Sequence, residues 1–131
     1  MNQDQRAELV ELTERFVDAF NRQDLDDVMS FFAEGAIYDD AYGHRHEGKA
    51  AIRAAFTPVM DGTIGRIRFD GEDRFIDAGA ESGTGKVMDS WLLHMHIGEG
   101  EGKEGTLRGL DLLHFDAGQL VRKVTYKRDQ I

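Results

Sequence analysis

Apolar residues recur at helical spacing through the first third of the chain and switch to alternating spacing after Gly65. Leu9, Val10, Thr13, Phe16, Val17 and Phe20 form one stripe with charged residues on the remaining faces, which predicts a first helix. Asn21-Arg22-Gln23 is a short connection. Asp24 then suits the N-cap of a second helix carrying Leu25, Val28, Met29 and Phe32, because a short carboxylate can accept from the free amides of the first turn. Glu34-Gly35 is expected to end that helix, and Ala36-Ile37-Tyr38 to open a strand. Gly48 opens a third helix with Ala51, Ile52, Ala55, Phe56 and Val59 on one side, and Pro58 limits how far it continues regularly.

The second half reads as strands. Ile67, Phe69 and Phe75-Ile76 predict one, with Asp70-Gly71 as a bulge or bend. A small-residue turn spans Asp77 to Gly85, followed by a long strand from Lys86 to Ile97. Gly98 to Gly105 is an acidic, glycine-rich hairpin loop; it lacks the helix start that a phosphate-binding loop needs. Thr106 to Phe115 and Leu120 to Tyr126 are the last two strands, joined by a tight turn at Asp116-Ala117-Gly118. Helices followed by an antiparallel meander define an α+β fold with helices on one sheet face. No internal repeat or linker divides the chain, so residues 1–131 are expected to form one domain.

Composition narrows the function classes. The chain has 131 residues, 40% of them apolar, enough for one core. A formal charge of −9 argues against nucleic acid or an anionic membrane as partner, since phosphate contacts require a basic face. With no cysteine there is no disulfide, thiolate nucleophile or zinc–thiolate site. The polar start Met1-Asn2-Gln3-Asp4 lacks the apolar centre of a signal peptide, and no stretch has the length of a membrane span. A cytoplasmic location is the expectation.

Candidate chemistry sits where carboxylates interrupt apolar strands. Tyr38-Asp39-Asp40 runs into Gly43, and alternation lets only one of the two aspartates face inward. An inward Asp40 beside aromatic rings would be costly to ionise, which raises its pKa and suits it to proton transfer. The other reading is that Asp40 caps the turn at Gly43 or accepts backbone amides, and a register slip would put Asp39 inside instead. Asp111 lies within Leu110 to Phe115 in the same manner. If Lys123, on the neighbouring strand, points inward, Asp111 is ionised in a buried pair; if not, the lysine is solvated at a sheet edge. Trp91 falls on the same face as Leu93 and Met95, where it either walls a pocket or packs. His94, His96 and His114 share the opposite face, which points away from any metal or acid–base role inside; His44 and His46 sit in the loop after Asp40. Both strand faces are partly apolar, so a homodimer through the outer face is expected.

These motifs in this order resemble the SnoaL-like branch of the nuclear transport factor 2-like superfamily, which includes ketosteroid isomerases and small polyketide cyclases. The resemblance rests on Arg15-Phe16-Val17, Asp24-Leu25-Asp26, Ala36 to Gly43, Gly48-Lys49-Ala50-Ala51-Ile52-Arg53, Leu110 to Asp116 and Gly118 to Tyr126. It implies a cone in which a strongly curved antiparallel or mixed sheet wraps three helices around a deep pocket. It further implies Asp40 as the general base and Asp111 as a protonated donor to the developing enolate. Phe16 stands where the isomerases place a tyrosine donor, Phe56 where a further pocket tyrosine is expected, and Thr125 where cyclases carry an aspartate. The implied pocket is walled by Phe16, Tyr38, Phe56 and Trp91, with Leu113 and Lys123 completing its lining. The function expected is cofactor-free acid–base catalysis of isomerase, dehydratase or cyclase type on a small apolar carbonyl compound. The alternative is a non-catalytic ligand-binding or accessory dimer. Nothing in the chain calls for a nucleotide or metal cofactor.

Overall fold

The computed structural model describes residues 2–98 and 102–128. The first helix, α1 (Asn2–Asn21), carries the predicted stripe, and Leu9, Phe16, Ala19 and Phe20 are all buried. Asp24 caps α2 (Leu25–Ser30) as expected, its carboxylate accepting from the Asp27 amide at 3.1 Å. That helix is shorter than its apolar spacing predicts. Phe32 already belongs to strand β1 (Phe32–Asp39), where it pairs with Leu120. Both side chains are fully buried, and that tertiary burial outweighs the local helical preference; Glu34 and Gly35 therefore lie within a strand.

A three-residue strand unforeseen in the sequence, β2 (Arg45–Glu47), pairs antiparallel with β1 and leads into α3 (Lys49–Met60). Gly48, at φ 85°, caps that helix in a conformation that favours glycine. Strands β3 (Arg66–Ala78), β4 (Gly85–Ile97), β5 (Lys103–Asp116) and β6 (Gln119–Arg128) complete one six-stranded sheet in the order β2-β1-β6-β5-β4-β3. Every neighbouring pair is antiparallel except β1 with β6, so the sheet is mixed. Of the expected loop from Gly98 to Gly105, residues 99–101 lie outside the described residues, and β5 begins at Lys103, before the expected Thr106.

The core lies between the helices and one face of the curved sheet. Phe16 packs edge-on against Phe20, Phe31 and Phe32, while Phe56 meets Phe20 and Tyr38. Alternation along β4 sends Val87, Asp89 and Trp91 to this inner face, all three at 6% exposure or less. The predicted bulge is present as a register shift in β3 between Gly71 and Arg74. Gly71 stands opposite Trp91, and the extra residue brings Arg74, rather than Asp73, opposite Asp89. Among the described residues, no helix is long and apolar enough to cross a membrane.

Candidate functional site

A cavity of about 350 Å³ opens on the inner face of the sheet, bounded by α1, α3 and strands β1 and β3 to β6. Phe16, Phe20, Tyr38, Phe56, Phe69 and Trp91 give it aromatic walls, and Leu93, Met95 and Leu107 extend the apolar lining. The expected pocket residues Phe16, Tyr38, Phe56, Trp91 and Lys123 are all brought together here. Leu113 is not: at 1% exposure it is buried in the hydrophobic core cluster, as is Val87, its cross-strand partner on β4.

Several polar groups of this pocket form a row across four strands. Arg74 on β3 pairs with Asp89 on β4, Asp89 with Asp111 on β5, and Asp111 with Thr125 on β6. Asp89 accepts from Arg74 Nε at 2.8 Å and from a second guanidinium nitrogen at 3.4 Å. Asp111 accepts from Thr125 Oγ1 at 2.6 Å, Lys123 Nζ at 3.2 Å and Trp91 Nε1 at 3.1 Å. Lys123 Nζ also donates to Thr125 Oγ1 at 2.7 Å and lies 4.6 Å from the centre of the Tyr38 ring. The row thus reads cation, acid, acid, cation, with the two acids side by side and a cation at each end.

Burial alone would push the Lys123 ammonium down, but the adjacent Asp111 carboxylate outweighs it and the pKa lies above its ordinary value. Lys123 therefore points inward as a stable cation, the ion-paired alternative read from the sequence. Asp111 serves here as an acceptor to three donors, an arrangement opposed to the protonated donor implied by the resemblance. For Asp89, desolvation pushes the pKa up, the Arg74 guanidinium pulls it down, and the neighbouring Asp111 pushes it up again; the net direction is upward.

Asp40 also faces the pocket, while Asp39 points away and pairs with Arg45 at 2.7 Å and Arg122 at 3.1 Å. The expectation of a raised Asp40 pKa is reversed. Burial does push it up, but hydrogen bonds from His46 Nε2 at 3.0 Å and from the His44 and Tyr42 amides at 3.0 and 2.8 Å bring it down to about 2. Inward placement and turn capping, set out as alternatives, are both true of this residue. His46 is further held by stacking on Tyr38.

His94 and His96 engage separate partners on the outer face. His94 Nε2 lies 2.7 Å from Asp70 and His96 Nδ1 lies 3.3 Å from Glu104; burial, then Lys86 and Arg122, lower the pKa of His114. Among the described residues no three histidine, aspartate or glutamate side chains are grouped to hold a metal ion.

Two residues of the charged row, Asp89 and Arg74, were not singled out from the sequence. Asp89 was legible: it is two residues before Trp91 and so shares its face. Arg74 was hidden by the bulge, which changes the face of every residue beyond it.

A mixed sheet whose helix-covered face holds an aromatic pocket with buried charges defines an α+β fold of the nuclear transport factor 2-like class. The chain belongs to the SnoaL-like domain family, whose model matches residues 13–123. Among solved structures it is similar to a candidate polyketide cyclase from Xanthomonas campestris pv. campestris, at 26% identity over 95% of this chain and 93% of that one, with a TM-score of 0.73. It is similar in fold to an NTF2-like protein of unknown function from Mesorhizobium loti, at 23% identity, 94% and 93% coverage and a TM-score of 0.72. A candidate isomerase from Bacillus subtilis shares the fold at 18% identity, 95% and 88% coverage and a TM-score of 0.73. Comparison with curated protein sequences returned no match.

Proposed function

We propose that the pocket performs cofactor-free acid–base chemistry of isomerase, dehydratase or cyclase type on a small, mostly apolar carbonyl compound held inside a cone-shaped fold. The observation that carries this reading is the row Arg74–Asp89–Asp111–Lys123, sunk into an otherwise aromatic wall. Removing a proton beside a carbonyl requires a carboxylate shielded from water and a donor fixed where the oxygen gains charge. Membership of the SnoaL-like family, and similarity to a candidate polyketide cyclase, agree with this class of reaction.

Phe16 supplies no donor, and a missing oxyanion donor costs about 3 kcal/mol in typical cases. Lys123 is placed to make good that loss, since its hydrogen bonds to Asp111 and Thr125 occupy two of its three protons. Asp40, on this reading, is a poor base: three donors already hold its charge. Its place beside exposed Tyr42 and His44 suits it to ordering the rim of the pocket.

A second reading, a ligand-binding or accessory protein without turnover, is favoured by the pairing of every pocket carboxylate. The two part on exchange of the α-hydrogens of β-tetralone, a bicyclic aromatic ketone, followed by proton NMR in D2O. Exchange faster than in matched buffer supports catalysis. Binding, read by quenching of the sole tryptophan in the pocket wall, without faster exchange supports the second reading.

A further inference from the structure

This inference rests on the proton-transfer reading and assigns its base. Among the described residues three carboxylates line the pocket, and their surroundings differ. Asp40 accepts two backbone amides and a histidine nitrogen, and Asp111 accepts from an ammonium, a hydroxyl and an indole. Each donor stabilises the charge and occupies a lone pair that an incoming proton would need. Asp89 is only 4% exposed and, among the described residues, accepts from Arg74 alone. Asp111 faces it from β5, and Glu14 on α1 reaches Arg74 at 3.4 Å, so the charged groups around it are one cation and two acids.

We propose that Asp89 is the general base of the pocket and Arg74 its positioning residue. The Asp89 carboxylate takes a proton from the carbon beside the substrate carbonyl. The C–H electron pair becomes the double bond of an enolate, and the carbonyl π pair moves onto oxygen. That oxygen is held by the third N–H of Lys123, one carboxylate further along the same row. The neutral Asp89 then returns its proton to the same or a conjugated carbon, so no co-reactant is consumed. The upward displacement of its pKa by burial and by Asp111 agrees with this role.

The β-tetralone exchange assay decides it, run from acid to neutral pH on the unsubstituted protein and on Asp89→Asn, Asp89→Glu and Asp40→Asn. The unsubstituted protein is expected to lose rate on acidification as a base with a raised pKa takes up its proton. Asp89→Asn should be slower by about 100-fold or more, the usual worth of a positioned base, while β-tetralone still quenches Trp91. Asp89→Glu should keep part of the rate with a displaced acid limb. Survival of the rate and of the acid limb in Asp89→Asn, or their loss in Asp40→Asn alone, would overturn the assignment and leave the proton-transfer reading standing. Absence of exchange by the unsubstituted protein would overturn that reading itself. Should Asp89→Asn not fold, as judged by near-ultraviolet circular dichroism, a folded Asp89→Glu with unchanged rate and acid limb would overturn the proposal.

Discussion

At the residue scale, the pocket is governed by how each charge is partnered. Lys123 is 5% exposed and its ammonium rests against Tyr38, Phe56 and Phe20, yet it stays charged because Asp111 is 3.2 Å away. Removing one member of such a pair leaves the other desolvated and alone, at a cost of about 3 kcal/mol or more, while replacing both by apolar residues is close to neutral. Lys123→Met is therefore expected to be severely destabilised in urea unfolding, and Lys123→Met combined with Asp111→Leu to recover most of the loss. The pH dependence follows from the direction of the shift. The folded pKa of Lys123 is above its ordinary 10.5, so the folded state binds the proton more tightly than the unfolded chain. The stability this contributes is fully present below 10.5 and is lost as pH rises through the folded value. Urea midpoints at neutral and strongly alkaline pH should show this loss in the unsubstituted protein and a smaller one in the double variant; equal losses would remove the pair from the stability account.

At the element scale, one bulge and one glycine shape the pocket. Gly109 on β5 stands opposite Trp91, and a Cβ there would collide with the indole ring and with the Tyr126 carbonyl. The strand has room for no side chain at this point because the ring fills it. Gly109→Ala should cost about 1–3 kcal/mol as an overpacked site and drive Trp91 towards the cavity. Since this is the only tryptophan, the movement is readable as altered emission and a weakened Trp91–Asp111 hydrogen bond. Unchanged emission and stability would mean that the sheet relaxes instead. Such local geometry also marks what the sequence could and could not disclose. The α1 stripe, the Asp24 cap, the long strands and the inward faces of Trp91 and Asp111 were legible, because period and capping are local properties. The end of α2 was not, since Phe32 is claimed by Leu120, a partner 88 positions later in the numbering. Nor was the direction of the Asp40 shift, because its donors come from the backbone of a turn and from β2. Arg74 faces Asp89 only through the offset that starts at Gly71.

At the scale of the whole molecule, the described residues place helices on one face of the sheet only. Helix α1 packs against β3 and β4, and α3 against β1 and β2, on the pocket side. The opposite face of β3 to β6 presents Phe75, 65% exposed, and Tyr126, 55% exposed, with Met88 and Leu112 half-buried between them. Met88 pairs with both Phe75 and Leu112, so these apolar residues form a continuous band across strands, and the adjoining groove is rimmed by Lys86 and His114. A band of this kind, bordered by polar groups, is characteristic of an association surface. A second copy is the occupant we propose: a two-fold axis through the sheet would set each band against its own image, the self-complementary arrangement of most homodimers. Each helix-lined pocket would then face away from the interface, so the copies would bind ligand independently. Sedimentation velocity at low micromolar concentration should give twice the 14.7 kDa chain mass, and Leu112→Glu, which buries a charge against its own image, should return it to one. A single-chain mass for the unsubstituted protein would overturn the dimer while leaving the pocket chemistry untouched, because Asp89, Asp111 and Lys123 line the pocket on the opposite face and, of the charged row, Arg74 alone also borders the adjoining groove.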